Sequence, residues 1–373
     1  MGKIKLLYLM NWSKGSGADT QAHLLVQYFA KHKKIDLAIL DANPIDMPKT
    51  IAEVETPYNT PLYICNNVYS AVMELEPDIF FVHAYAPFII ESVAKLKENG
   101  FKGKIVYRNG TNMLEQYLVF PHGTRHNHVL YPTIMWLNFD LIVCPSLHVA
   151  RQISFLLPDK KQLPKLAYIP AAVEVKSFIP SPNFNWFIVA SGRLEVNNPF
   201  FIPMQAFRRL VTEFPELKME IIGGGTYQGL YQYLVNRYNL ADRIIISGWR
   251  DQEYVFRQLE KADIFVFPTI TQNGIPNAVL EAMAAGCACI VADTLAMREC
   301  EELIRVPLED ITAWYMELKK LIQDEEYRKS VVKTQLEAVK RFDVEHIIEV
   351  YVDVFEKLLS GEIEKECKSE VQR

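Results

Sequence analysis

The segment TQNGIPNAVLEAMAAG (271–286) holds the residues best placed for chemistry. Gly274 and Pro276 precede a run of strong helix formers, and Gly286 can end that helix as a left-handed cap. A helix start leaves amide groups unpaired, so those around Pro276, Asn277 and Ala278 can face an anion such as a diphosphate; Pro276 itself has no N–H to give. Glu281 follows about one turn later on an otherwise apolar helix of Ala, Val, Leu and Met. A carboxylate there is costly unless hydrogen-bonded. A ribose diol would offer it two donors, and a place on the helix's outer, exposed face is the other reading.

A second candidate is SGRLEVNNP (191–199), where Arg193 leaves the end of an apolar strand. Guanidinium suits phosphate oxygens, although an ordinary surface arginine would look the same. The Gly223-Gly224-Gly225 turn after KMEII permits close backbone approach, and is weak evidence alone. WSKGSGADTQ (12–21) places Gly15 and Gly17 between a strand and a helix, without the third glycine of a dinucleotide fingerprint. Asp41 is the nearest acidic residue to complete it, and its spacing proves little. No G-x-x-x-x-G-K-[ST] is present, so P-loop hydrolysis is unsupported. The histidines of HGTRHNH (122–128) lack partners at zinc spacing and read as a solvated loop. Cys287 and Cys289 alternate within CACIVAD and read as small core residues rather than a metal or redox pair.

Short apolar runs separated by amphipathic stretches must position these groups. KIKLLYLMN (3–11), IDLAILDA (35–42), DIFFVHA (78–84), KIVYRNG (104–110), LIVCPS (141–146) and AYIPA (167–171) read as buried strands. The alternation predicts parallel strands with helices on both faces. It halts at SFIPSPNFN (177–185) and restarts with WFIVASG (186–192), KMEIIGGG (218–225), RIIISGW (243–249), DIFVFPT (263–269) and CACIVAD (287–293). The expected architecture is therefore α/β, with two doubly wound Rossmann-like domains facing across a cleft. The first spans 1–178 and regains a helix and tail from 343–373; the second spans 183–342. The returning helix carries the stripe Val344, Ile347, Ile348, Tyr351 and Phe355.

The chain's 373 residues suit two domains, and its composition, 50% hydrophobic and 23% charged, excludes a disordered chain. A net charge of -5 argues against a dedicated nucleic-acid binder. Residues 1–182 hold 18 Lys/Arg and 15 Asp/Glu, a net +3, which leaves -8 for the rest. No apolar run approaches the roughly 20 residues that span a bilayer, and the N-terminus does not read as a signal peptide. The expected location is the cytoplasm, with peripheral membrane contact through the first domain.

These elements, in this order, resemble the GT-B fold and family 4 of the retaining glycosyltransferases, over nearly the whole chain. The likeness runs from the first glycine turn through PDIFFVHA, YIPAAVEVKSFIP and SGRL to DIFVFPT and GIPNAVLEAMAAG, the most specific of them. It implies a metal-independent transfer of a hexose from a nucleotide diphosphate sugar, UDP- or GDP-linked, with no cofactor and no metal ligands. The acceptor would be a glycan, a lipid-linked molecule or a small molecule. In that resemblance Glu281 meets the ribose, Arg193 the phosphates, Gly15 and Gly17 the diphosphate and acceptor, and Gly248, Trp249 and Arg250 the base. Three positions depart from the family. Asn273 stands where the first of two glutamates is expected, Asn197 (or Asn198) where a lysine is, and Asn109 where a first-domain histidine is. Asn can hydrogen-bond a sugar hydroxyl but carries no charge and no titratable proton. A non-catalytic partner of an active glycosyltransferase, or a GT-B sugar epimerase, is the alternative reading.

Overall fold

Runs such as IKLLYLM and IFFV are apolar on both strand faces, which stabilises them only in a sheet covered above and below. The computed structural model describes residues 2–11, 17–41, 52–64, 67–83, 87–109, 138–156, 165–175 and 183–363. Gly15, the HGTRHNH segment, most of 177–185 and the tail from 364 lie outside the described residues. The chain divides into two units, Met1–Ala172 with Val344–Arg373, and Val173–Asp343.

In the first unit, β1 (Ile4–Met10), β2 (Ile35–Asp41), β3 (Ala52–Glu55), β4 (Pro61–Ile64), β5 (Ile79–Val82), β6 (Lys104–Arg108), β7 (Leu141–Cys144) and β8 (Lys165–Tyr168) form one sheet. Its order is β3-β4-β2-β1-β5-β6-β7-β8. All neighbours are parallel except β3 and β4, a short antiparallel pair at one edge. The sequence pattern does not show that pair, because AEVE carries two charges and its partner is four residues long. The helices are α1 (Gly17–Phe29), α2 (Val68–Leu75), α3 (Pro87–Glu98) and α4 (Leu147–Leu156).

The second unit contains β9 (Phe187–Ser191), α5 (Phe201–Leu210), β10 (Lys218–Ile222), α6 (Gln228–Arg237), β11 (Ile244–Gly248) and α7 (Gln252–Leu259). It continues with β12 (Ile264–Phe267), α8 (Asn277–Ala284), β13 (Ala288–Ala292), β14 (Ile304–Val306), α9 (Ile311–Gln323) and α10 (Glu325–Val339). Its six strands are all parallel, in the order β11-β10-β9-β12-β13-β14. The order reverses at β9, so the carboxyl ends of β9 and β12 flank a topological switch point, where sheets of this kind hold ligands.

The final helix, α11 (Val344–Ser360), belongs to the first unit. Its buried Tyr351 and Phe355 pack on Phe29 of α1 and Phe81 of β5, with ring centroids 5.7–6.0 Å apart. The division falls at Ala172 and Val173, because Val173 pairs with Asp343 and its N–H donates to the carbonyl of Phe342 (2.9 Å). Gln21 of α1 holds Ala172 by both backbone groups, at 2.6 and 2.9 Å.

Candidate nucleotide site

The turns that leave β9, β10, β11 and β12 lie at one edge of the second sheet and are joined by their own backbones. The N–H of Gly192 donates to Ile222 O (3.0 Å), that of Leu194 to Gly224 O (2.9 Å) and that of Gly223 to Gly248 O (2.9 Å). Such close approach leaves no room for side chains. A Cβ on Gly223 would lie 1.9 Å from the carbonyl oxygen of Gly192, and one on Gly225 2.5 Å from that of Leu194. Both glycines have φ in the left-handed half of the map, at +145° and +153°. Glu195 adds a side-chain tie, accepting from the N–H (3.0 Å) and hydroxyl (3.1 Å) of Thr226.

Across the switch point, the carbonyl of Asn197 accepts from the N–H of Ile270 (3.0 Å) and the hydroxyl of Thr269 (3.2 Å). The side-chain amide of Asn197 has no partner among the described residues. Asn198 is different: it is buried, and its amide donates to Arg193 O (3.1 Å). Asn198 therefore shapes the Arg193 turn, leaving Asn197 as the residue with a spare donor. Arg193 itself is exposed and forms no ion pair with a described residue.

On the other side of the switch point, Gly274 adopts φ +155° and Pro276, whose ring cannot accept a capping bond, occupies the N-cap of α8. The start at Asn277 and Ala278 thus presents amide groups and the positive end of the helix dipole. Asn273 and Asn277 are partly buried and each makes a contact of its own. Glu281 lies one turn inside α8. Its side chain keeps some accessible surface, yet the apolar surroundings of its carboxyl push it up to about 7. Gln252, at the start of α7, donates to it at 3.3 Å. That contact joins the helix after β12 to the turn after β11, where Trp249 is 68% exposed and Arg250 lies 5.1 Å from the Tyr254 ring. Gln252 carries no motif and stands 29 residues from Glu281, so sequence reading missed it.

In the first unit Gly17 begins α1, and Asn109 is buried after β6, its N–H donating to Val143 O (2.9 Å). Beside it stands a polar cluster that the sequence did not reveal. His83 Nδ1 meets the hydroxyl of Tyr8, and Arg108 is hydrogen-bonded to the hydroxyl of Tyr351. Burial, aided by the Arg108 charge, holds His83 well below the usual histidine range, so its ring is neutral at pH 7.

Residues 187–324, which contain every strand-end turn of the second unit, match the family model for glycosyl transferases group 1. This unit belongs to that family. Two curated relatives of this chain are enzymes of polyprenyl-linked sugars by name. One is the N-acetylgalactosamine-N,N'-diacetylbacillosaminyl-diphospho-undecaprenol 4-alpha-N-acetylgalactosaminyltransferase of Campylobacter jejuni, 25% identical over 162 residues, 42% of this chain and 43% of that protein. The other is the UDP-Gal:alpha-D-GlcNAc-diphosphoundecaprenol alpha-1,3-galactosyltransferase of Escherichia coli, 26% identical over 219 residues, 51% of this chain and 54% of that one. The chain thus spans about half the length of these curated relatives.

Among solved structures, sucrose-phosphate synthase from Thermosynechococcus elongatus matches with a TM-score of 0.78 at 15% identity, over 96% of this chain and 100% of that one. HepE of Anabaena in complex with UDP and glucose matches with a TM-score of 0.72 at 14% identity, over 95% and 99%. The group 1 glycosyl transferase unit and its companion therefore share the GT-B fold of two Rossmann-like domains.

Proposed function

We propose that this chain transfers a hexose from a UDP- or GDP-linked sugar to an acceptor hydroxyl, with retention and without a metal ion. One observation carries the reading: a guanidinium with no ion pair among the described residues, the positive end of a helix and a carboxyl raised to about 7 all lie at the switch point of one parallel sheet. Glu281 accepts from the ribose hydroxyls. The turn at Gly248, Trp249 and Arg250 holds the base, and the Gly223 turn lets the nucleotide approach the backbone. Arg193, the amide of Asn197 and the N–H groups of Asn277 and Ala278 bind the diphosphate and stabilise the charge it gains on leaving. Asn273 and Gly274 face the sugar.

The bond from the anomeric carbon to the phosphate oxygen breaks, and a bond to the acceptor oxygen forms on the same face. The acceptor proton passes to the departing phosphate. Asn at 273 offers no carboxylate for a covalent intermediate. Gly15, Gly17 and Asn109 are assigned to the acceptor end. A lipid-linked glycan is the acceptor class best supported, since both relatives above carry diphospho-undecaprenol in their names. No helix among the described residues is long and apolar enough to cross a membrane.

The test is thermal stabilisation by UDP, GDP, ADP and CDP. One nucleotide present at 100 times its dissociation constant should add about 2.7 kcal/mol, and no response to any of them overturns the reading. Turnover should survive EDTA, because the charge stabilisers are Arg193 and backbone amides. Loss that magnesium or manganese restores would overturn metal independence. Nucleotide binding without any turnover of UDP- or GDP-sugars would favour the partner-protein reading, which the asparagines at 109, 197 and 273 motivate.

A further inference from the structure

Glu220 is a carboxylic acid in the middle of β10, only 3% exposed, where its neighbours Met219, Ile221 and Ile222 are apolar. A leucine would fill such a place without the cost of burying a polar group. The acid is held instead by two hydroxyls from the next strand and helix. Ser247 donates to its Oε1, and Tyr254 of α7 donates to the same atom at 2.8 Å.

The strand register explains why those two residues matter. Along β10 and β11, Glu220 pairs with Ile245 and Ile221 with Ile246, but Ile222 pairs with Gly248. Ser247 is the extra residue of a β-bulge. Bulges bend a strand and re-aim the residues that follow, here Gly248, Trp249 and Arg250. Tyr254 sits in the first turn of α7, and Asp251 caps that turn through the Tyr254 N–H (2.8 Å). Arg250 in turn lies against the Tyr254 ring. One buried oxygen thus fixes both ends of the turn from Gly248 to Asp251. Burial first, and the bond to Glu220 second, raise the Tyr254 hydroxyl above its usual range, so it stays a donor through neutral pH.

We propose that Glu220 is a positioning residue that aims the Trp249–Arg250 turn and thereby sets which nucleobase the site prefers. This rests on the nucleotide reading above, and the experiment separates the two. The full chain is titrated calorimetrically with UDP, GDP, ADP, CDP and inorganic pyrophosphate. Pyrophosphate reports the Arg193 and α8 end, which Glu220 does not touch.

In the wild type one nucleotide should bind best; if none binds, the nucleotide reading and this proposal both fall. Glu220→Leu removes the shared acceptor and should weaken the best nucleotide on the order of tenfold. The spread among the four should narrow, and pyrophosphate affinity should hold within about twofold. Glu220→Gln keeps an amide oxygen at Oε1 and should restore the wild-type preference. Ser247→Ala and Tyr254→Phe leave β10 intact, so they carry the test if the Leu variant does not fold; each should give a smaller loss in the same direction. Wild-type nucleotide preference in the Leu variant, or in both hydroxyl variants, overturns the proposal. So does a parallel fall in pyrophosphate affinity, which would mark general damage rather than a mis-aimed turn.

Discussion

Replacing Glu281 by glutamine should stabilise the free protein above pH 7 while weakening its nucleotide complex. The carboxyl is pushed from its ordinary 4.5 to about 7 by burial, the Gln252 bond acting in the opposite direction. The folded chain then holds the proton more tightly than the unfolded chain. The group is tolerated at low pH, and its cost to stability grows as pH rises from about 4.5 through about 7. A glutamine has no charge to bury. The gain should reach about 1–3 kcal/mol at pH 8, and most of it should be gone at pH 5. Binding should move the other way. A charged acceptor bond is worth roughly 1.5–3 kcal/mol, so glutamine should cost the nucleotide on the order of tenfold and alanine up to about a hundredfold. Melting curves at pH 5 and pH 8, with calorimetry on the nucleoside diphosphate, read both. Unchanged affinity in Glu281→Ala would remove the ribose from this position.

Gly223→Ala should be the most damaging single methyl in the second unit. Its Cβ would sit 1.9 Å from a carbonyl oxygen of the neighbouring turn, at a φ of +145° that alanine avoids. The oxygen belongs to Gly192, one residue from Arg193, so the strain falls on the phosphate end of the site. Backbone strain and overpacking together should cost about 3–5 kcal/mol. Gly224→Ala is the matched control: its nearest contact would be an ordinary 3.5 Å, its φ lies outside the left-handed region, and its effect should stay within about 1 kcal/mol. Urea denaturation of the pair measures the difference; equal losses would show that the turns are not locked by backbone approach.

Much of this was legible because three apolar runs of the second sheet, β9, β10 and β11, end in glycine, and each such end becomes a turn at the carboxyl end of the sheet. Arg193 was singled out from such a strand end and Glu281 from its apolar helix, whereas Trp249 entered only through the family resemblance. The weight of Gly223 could not, since G-G-G after a strand says nothing about which backbone lies against it; the pairing of β9 with β10 supplies that. Glu220 was hidden for a related reason. KMEII reads as a strand whichever face its glutamate takes, and Ser247 and Tyr254 are 27 and 34 residues away. The choice between Asn197 and Asn198 also needed contacts, because adjacent identical residues differ only in which way they point. The strands β3, β4 and β14 escaped notice by being short, and in β3 and β14 by carrying charges.

The return of α11 has a bearing on how the polypeptide is made. Phe29 and Phe81 leave the ribosome before the whole second unit, but the rings that cover them, Tyr351 and Phe355, are added some 270 residues after Phe81. Until then the first unit carries an uncovered apolar face. Val173–Asp343 draws on no such late segment and can finish first. The order in which the two units are begun is therefore the reverse of the order in which they can be completed, and a chain truncated before Val344 would lose the integrity of the first unit.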